Sequence, residues 1–288
     1  MRPAILPVQT QPRARIGAAA AMLAPGRARA VFLPTHRLLF ALTCLLAAGA
    51  TQAAQFYEGT AYARAGGPPL YAEAHYLYAA DGAPRQLVLY RCPAGAAFAR
   101  KLLLDSPASV APDFDFVDAR NGYREGVRVE NGQRIVYVQK NAQAARVAKP
   151  LPAQADMVID AGFDTYVKTH WDALSSGVAH IPFLLPSRFG FIGIKLGGSA
   201  NAREDGQDLR TLQMRLDAWY GFVAAPIELT YVSAERRLRR FEGIGTIRTD
   251  DGRNQDVRIE FPETHDREIP QSEVEAALAE PLSGRCAG

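Results

Sequence analysis

Apolar and polar residues alternate with a period of two over much of this chain, and that period predicts β-strands. The clearest example runs from Leu209 to Trp219, where one set of alternate positions is apolar and the other is mainly polar. The first set is Leu212, Met214, Leu216 and Ala218, and the second is Thr211, Gln213, Arg215 and Asp217. A strand with this pattern buries one face and exposes the other.

A β-hairpin is predicted over Gly126–Gln139, "GVRVENGQRIVYVQ". Asn131 and Gly132 at its centre favour a type I′ turn, which needs a positive φ at both positions. This turn sets a register with two diagnostic pairs, Val129 opposite Arg134 and Val127 opposite Val136. The turn chemistry and the apolar pattern agree, and such agreement is what fixes a register.

About eleven strands are predicted beyond residue 53, and most connections between them are too short for parallel crossovers. The fold class is therefore mainly β, a strongly curved antiparallel sheet or open barrel, because a sheet of this many strands curls or splits. The segment Ala94–Asp105 fits either a short helix or a strand. A short C-terminal helix is expected before Pro281, which stops it.

One helix is predicted to pack on the sheet, over residues 163–176. An apolar stripe recurs there at helical spacing, formed by Phe163, Tyr166, Val167, Trp171 and Leu174. Trp171 therefore belongs to the core, and His170 lies at the edge of the stripe. Asp172, two residues further on, points elsewhere, so His170 lacks an acidic partner that would orient it as a general base.

Residues 1–53 have the features of a secretory leader. Leu38–Ala50 is an uncharged, mostly apolar run, Arg27, Arg29 and Arg37 precede it, and the small residues of Thr51–Ala53 follow it. This order is typical of a signal peptide, with a buried core helix as the alternative. The run is too short to cross a bilayer, which takes about 20 residues. We therefore expect export to the periplasm, or secretion beyond it, of a protein that does not span the membrane.

The leader is longer than the usual length of roughly 15–30 residues, so we expect the true start at Met22 or near Val31. Cys44 raises a lipoprotein as an alternative. It lies inside the apolar run and follows Thr43, and a cut at that point would truncate the run.

Two halves are expected beyond the leader, residues 54–150 and 151–288. The boundary between them is placed at Lys140–Asp156, where alanine, glutamine and two prolines interrupt the apolar pattern.

Removal of the leader changes the charge of the chain. Six of its 33 basic residues and none of its 30 acidic residues lie in residues 1–53, so the remainder carries a net charge of −3. A mildly acidic domain is a poor nucleic-acid binder, because phosphate neutralisation supplies most of that affinity.

Two cysteines remain beyond the leader, Cys92 and Cys286. In an exported protein an even number of cysteines favours a disulfide, here between the body of the domain and its C-terminal tail. Two free buried thiols are the alternative.

The sequence lacks the usual catalytic and metal-binding motifs. It has no G-x-S-x-G sequence, and "GGSAN" at Gly197–Asn201 lacks both the last glycine and the strand–turn–helix context. Four histidines, His75, His170, His180 and His265, remain beyond the leader, and their spacings are not those of a local zinc site. No cofactor or metal is expected.

Two stretches are candidate binding sites. Arg236, Arg237, Arg239 and Arg240 form the basic cluster, which fits either a solvated hairpin end or contact with anionic lipid headgroups or a sugar phosphate. In "FEGIGTI" two glycines share a strand face, with Gly245 expected opposite Ile259 and Gly243 opposite Phe261. Either these bulky residues fill the space beside the glycines, or an apolar ligand rests there.

The stretches "FDTYVKTHWDAL", "FLLPSR", "IELTYVSAERRLRRFEGIGTI" and "VRIEFP", within Gly162–Pro262, resemble a group of uncharacterised exported proteins of Gram-negative bacteria. That group has no established activity, so the resemblance implies location and little chemistry. A curved antiparallel sheet with a covering helix is also similar, at the level of the fold, to periplasmic lipoprotein carriers.

These observations favour a periplasmic protein that binds an apolar ligand, such as a lipid, or an envelope component on its curved sheet. The candidate ligand contacts are Trp171, Gly243, Gly245 and Phe261. The alternatives are an envelope hydrolase that uses carboxylates or His170, and a structural partner in an envelope complex.

Overall fold

The computed structural model describes residues 53–218, 225–249 and 251–286. The predicted leader, including Leu38–Ala50 and Cys44, lies outside the described residues, as does Trp219 at the end of the alternating strand.

Fifteen strands are found in the described ranges. The first eight are β1 (Ala54–Ala63), β2 (Pro69–Ala80), β3 (Ala83–Arg91), β4 (Ala97–Leu104), β5 (Asp113–Asp118), β6 (Tyr123–Glu130), β7 (Gln133–Gln139) and β8 (Val147–Pro150). The others are β9 (Val178–Leu185), β10 (Gly190–Glu204), β11 (Gln207–Leu216), β12 (Ile227–Val232), β13 (Arg237–Arg248), β14 (Asn254–Glu260) and β15 (Arg267–Ile269). The helices are α1 (Gly162–Thr169) and α2 (Gln271–Ala279).

All these strands belong to one sheet, made of two meanders joined along β1. The strand order is β8-β7-β6-β5-β4-β3-β2-β1-β14-β13-β12-β11-β10-β9, and β15 also pairs with β1. Every named pair is antiparallel, as the short connections predicted. The mainly β fold class is confirmed.

The sheet curls without closing into a complete barrel. Strands β8 and β9 are its two ends in the described order. The turn at Pro186–Arg188, just after β9, nevertheless approaches the opposite end, because the Lys149 ammonium lies 4.9 Å from the centre of the Phe189 ring. Leu184 shares a buried cluster with Val127 and Val136. The predicted open barrel is therefore the observed architecture.

Two buried clusters fill the concave face. One lies on β1–β7 and β14, and its large side chains include Tyr71, Tyr90, Phe98, Phe116 and Phe261. The second lies beneath α1 on β9–β12. On the convex face α2 packs Val274 and Ala277 against β2 and β3. This helix ends before Pro281, as predicted.

The hairpin prediction is confirmed. Val129 pairs with Arg134 and Val127 with Val136, and Asn131 and Gly132 both have a positive φ. The ambiguous segment Ala94–Asp105 contains β4, which pairs on one side with β3 and on the other with β5.

The helix predicted over residues 163–176 is interrupted, which corrects the prediction. The regular helix α1 ends at Thr169, and a 3-10 turn covers Ala173–Ser175. The carbonyl of Trp171 accepts a hydrogen bond from the Arg210 side chain. The Ser175 N–H bonds instead to the Asp172 carbonyl, which tightens the chain into a 3-10 turn.

Candidate ligand-binding site

Residues Gly162–Ser175, here called the lid, cover the concave face of strands β9–β12. Phe163, Val167, Trp171 and Leu174 face the sheet, and Trp171 is only 4% exposed. They pack against Ile181, Ile194, Leu196, Leu212, Leu229 and Tyr231. The prediction that Trp171 is a core residue is confirmed.

Two polar residues of the sheet hold the lid. Arg210 donates a hydrogen bond of 2.9 Å to the Trp171 carbonyl, and its guanidinium lies 4.3 Å from the centre of the indole ring. The hydroxyl of Tyr231 donates to the Asp164 carboxylate at 3.1 Å. Burial raises the pKa of Tyr231 well above its ordinary value, so the hydroxyl stays protonated and remains a donor.

The two ends of the lid are held differently. Before its first residue, Val158 and Ile159 are fully buried, and Ile159 donates a hydrogen bond to the Val110 carbonyl. A Cβ on Gly162 would lie 2.1 Å from that carbonyl oxygen, so only glycine fits there. Residues 175–178 at the other end are exposed. The chain then enters β9, whose first residue Val178 pairs with Gly197 of β10, so both ends of the lid are joined to the rest of the domain.

The predicted pairing of the two glycines was wrong by four residues. Gly243 pairs with Val257, and Phe241 is the residue that pairs with Ile259. The pairing of β13 with β14 is irregular, with a shift of register between Ile244 and Arg248. Such an irregularity leaves no signal in a period-two sequence pattern.

Neighbouring side chains occupy the space beside both glycines. A Cβ on Gly243 would lie 2.7 Å from a side-chain carbon of Ile227. A Cβ on Gly245 would lie 3.0 Å from Val257 and 3.3 Å from the Tyr71 hydroxyl. The glycines therefore allow these residues to pack closely on the strand.

The four candidate ligand contacts are divided between the two clusters. Trp171 belongs to the cluster beneath the lid. Phe261 belongs to the other, where its ring lies against Gly59, whose Cβ would meet it at 2.3 Å. Leu238 and Phe241 contact both clusters and so lie at the border between them.

His170 lies outside any catalytic arrangement. Its ring stacks on Tyr166 with centroids 4.1 Å apart, and its Nδ1 lies 2.9 Å from the Tyr166 carbonyl. The Asp172 side chain is 90% exposed and pairs with Arg236 at 3.8 Å. The geometry around His170 thus gives no support to a hydrolase that uses this residue as its base.

A polar cluster that the sequence did not reveal lies on the concave face of β1–β3. His75 Nδ1 lies 3.1 Å from Gln86 Nε2, and Gln86 accepts a hydrogen bond of 2.9 Å from the fully buried Ser106. The His75 ring stacks on Tyr57 at 4.3 Å, and its Nε2 lies 3.4 Å from the Glu73 carboxylate. The alternation in "YAEAHY" is the signal that places Tyr71, Glu73 and His75 on one face.

A buried ion pair lies deeper on the same face. Both carboxylate oxygens of Asp160 lie 2.8 Å from the Lys101 ammonium, and Lys101 is 6% exposed. Glu125 lies on the same face and accepts a hydrogen bond of 2.5 Å from Tyr123. Burial raises the pKa of Glu125 above its ordinary value. The concave face of the first meander, β1–β8, is therefore partly polar, and its polar side chains contact one another.

The basic cluster is split by the fold. Arg236 donates to the Lys168 carbonyl of the lid at 3.1 Å. Arg237 donates to the Phe261 carbonyl at 3.2 Å. Arg239 and Arg240 instead line a cleft on the convex face. The four arginines thus serve three places rather than one common surface.

The predicted disulfide is present between Cys92 and Cys286, with Cα atoms 5.4 Å apart. Close to it, Arg91 and Glu280 form two charge-assisted hydrogen bonds of 2.7 Å. This ion pair lowers the pKa of Glu280. Together these contacts fasten the C-terminal tail to β3.

Within the described ranges, no helix combines the length and the apolar character needed to cross a bilayer. In the same part of the chain, no three His, Cys, Asp or Glu side chains are grouped so that they could hold a metal ion.

No family model and no curated protein matches this chain. Two solved structures are similar to it. One is a beta-barrel-like protein of domain of unknown function DUF1849 from Brucella abortus, with 8% identity, a TM-score of 0.45, and coverage of 76% of this chain and 98% of that chain. The other is a DUF1329 family protein from Desulfovibrio piger, with 11% identity, a TM-score of 0.27, and coverage of 80% and 92% respectively. At these scores the likeness carries no argument about function.

Proposed function

We propose that this protein is an exported, periplasmic binding protein that takes up an apolar ligand, or the apolar part of an envelope component, beneath its lid. The observation that carries the proposal is the interface between the lid and strands β9–β12. It is a continuous apolar surface covered by a short segment, of which only Gly162–Thr169 is regular helix. The leader and the disulfide support export, because disulfides persist in oxidising compartments.

The size of α1 supports movement of the lid. It has eight residues, and isolated helices shorter than about 12–15 residues are marginal in water. Its stability therefore comes from docking on the sheet. Trp171 occupies the space in the closed form, so a ligand enters only by displacing it. Gly243 then lies at the border of the exposed surface, beside Ile227, while Gly245 and Phe261 extend the same concave face towards the first meander.

Arg210 offers a direct test, because it holds the lid and is not one of the apolar residues that form the proposed ligand surface. Replacing Arg210 with Gln removes its hydrogen bond to the Trp171 carbonyl and its contact with the indole. A hydrogen bond to a charged group contributes about 1.5–3 kcal/mol. If closure of the lid competes with binding of the ligand, the apparent affinity of the protein for the ligand should rise roughly ten-fold or more in R210Q.

The experiment titrates N-phenyl-1-naphthylamine and dodecanoate into the wild type, R210Q and R215Q. Arg215 is the matched control, because it lies on the same strand, is exposed and bonds only to Gln213 among the described residues. We expect saturable binding, tightened in R210Q and unchanged in R215Q. Absence of saturable binding in both the wild type and R210Q would overturn the proposal.

Displacement of Trp171 has its own optical readout. The chain has two tryptophans, so Trp219→Phe leaves Trp171 as the only one. Its emission should shift to the red when the ligand opens the lid. Binding without any change in this emission would place the ligand elsewhere.

Export is tested separately by expressing the full chain in a Gram-negative host. We expect the mature protein in the periplasmic fraction, beginning near Ala54 with Cys92 and Cys286 oxidised. A cytoplasmic protein that keeps residues 1–30 would contradict the assigned location.

A further inference from the structure

A cleft on the convex face, independent of the lid, gathers groups from four parts of the chain. Thr60 of β1 pairs with Glu260 of β14, and Glu260 pairs with Arg240 of β13, so the three lie in one row across the sheet. Arg239, Tyr62 and His265 complete its polar lining. The cavity volume is about 210 Å³. A water molecule in the liquid takes roughly 30 Å³, so the cleft has room for a small organic ligand.

The two arginines of this cleft have distant counter-ions. Arg239 Nη2 lies 3.5 Å from the Asp205 carboxylate, and Arg240 Nη2 lies 3.8 Å from that of Glu204. Asp205 is 80% exposed. Charge-assisted hydrogen bonds are normally about 2.7–2.9 Å long. Both guanidiniums therefore keep donor capacity for another anion.

The Nε atom of Arg240 adds a second, independent observation. It is buried and has no hydrogen-bond acceptor among the described residues, and the nearest carboxylate oxygen, on Glu260, is 4.0 Å away. A buried donor without an acceptor costs free energy. An oxyanion in the cleft would remove that cost by accepting from Nε when the Arg240 side chain turns to expose it.

Glu260 narrows the class of ligand. One of its carboxylate oxygens lies 3.1 Å from Arg258 Nε. The same side chain lines the cleft together with Arg240. A carboxylate only accepts hydrogen bonds, so it suits ligand hydroxyls and repels a bare anion. The guanidinium fork in turn matches the oxygens of a phosphate group.

We propose that this cleft binds a phosphorylated polyol, with the phosphate on Arg239 and Arg240 and the hydroxyls on Glu260. The hydroxyls of Thr60 and Tyr62 are further donors to the phosphate. A free sugar or glycerol phosphate and a glycerophospholipid headgroup share this chemistry, and the experiment distinguishes these two sources.

The test measures binding of glycerol 3-phosphate by calorimetry, and of vesicles with and without phosphatidylglycerol in phosphatidylcholine by co-sedimentation. The variants are R239Q/R240Q and the matched control R203Q/R253Q, which removes two exposed arginines that do not line the cleft. We expect one-site binding that weakens at least ten-fold in R239Q/R240Q and less than two-fold in the control. Binding of the soluble phosphate identifies a free ligand, and binding confined to phosphatidylglycerol vesicles identifies a headgroup.

Two further variants act in opposite directions. E204Q/D205N removes the two loose counter-ions of Arg239 and Arg240, so binding of the phosphate should tighten several-fold. Asparagine is chosen at position 205 because it tolerates the positive φ of Asp205. E260Q should weaken glycerol 3-phosphate several-fold and leave inorganic phosphate unchanged or tighter.

Equal binding by the wild type and R239Q/R240Q, or no binding by the wild type to either probe, would overturn the proposal. Tightening of glycerol 3-phosphate by E260Q would overturn its polyol part. If R239Q/R240Q fails to fold by near-ultraviolet circular dichroism, R239K/R240K serves instead. That variant keeps the positive charge but loses the planar guanidinium, so it should still bind the phosphate several-fold more weakly than the wild type.

Discussion

Loss of the disulfide should strongly lower the free energy of unfolding. Cys92 and Cys286 are 194 residues apart. For a loop of this length, the restriction of the unfolded chain predicts a stabilisation of about 5 kcal/mol. Measured losses for native disulfides are about 2–5 kcal/mol. We therefore expect C92A/C286A to lose about 3–5 kcal/mol.

Urea unfolding followed by tryptophan fluorescence measures this change, and it contains its own control. Reduced wild type should unfold at nearly the same urea concentration as C92A/C286A, because both lack the cross-link. A difference between them reports the loss of the buried Cys92 side chain rather than the cross-link. A loss below about 1 kcal/mol in both would refute the reasoning. It would show that the bonds between Arg91 and Glu280 already hold the tail.

Two further predictions concern the concave face. Glu125→Gln should raise stability at neutral pH. Burial raises the pKa of the folded carboxyl, so the wild type loses stability as the pH rises from the unfolded value through the folded one. The advantage of the variant, measured by urea unfolding between pH 4 and pH 8, should shrink as the pH falls, and a constant difference would contradict this. Gly59→Ala should cost about 1–3 kcal/mol, because its Cβ would overlap the Phe261 ring. Phe261→Leu should reduce that cost in a double-mutant cycle, and strictly additive losses would refute the contact.

The parts of the fold that the sequence predicted depend on local chemistry. The hairpin at Asn131-Gly132 was predictable because the turn residues and the strand alternation lie within a few positions of each other. The end of α2 before Pro281 follows from proline's missing N–H. Each of these signals acts on neighbouring residues, so a single sequence contains it.

The errors arose where distant residues decide the local structure. In the 3-10 turn of the lid, Arg210, 39 residues away, binds the Trp171 carbonyl that the Ser175 N–H would reach in a regular helix. The pairing of Gly243 was wrong because irregular strand pairing leaves the apolar period unchanged.

The candidate sites were predicted only in part. The apolar stripe was enough to place Trp171 inside, whereas the partners of the basic cluster were not predictable. Arg239 and Arg240 meet Thr60 and His265 only through the pairing of β1, β14 and β13. The polar cluster around His75 had a visible alternation but no visible partner, because Ser106 reaches Gln86 only in the folded chain.

The position of β1 between β2 and β14 also has a consequence for the order of folding. Each meander can form from neighbouring hairpins. The two meanders become one sheet only when β1 pairs with β14, where Thr60 lies opposite Glu260, 200 residues later in the chain. Contacts of such long sequence separation slow folding, because their loop-closure entropy is lost before the contacts form. Until then β1 presents an unpaired edge, the kind of surface on which chains associate wrongly. A chaperone that protects this edge during synthesis or transport should therefore raise the yield of the native protein.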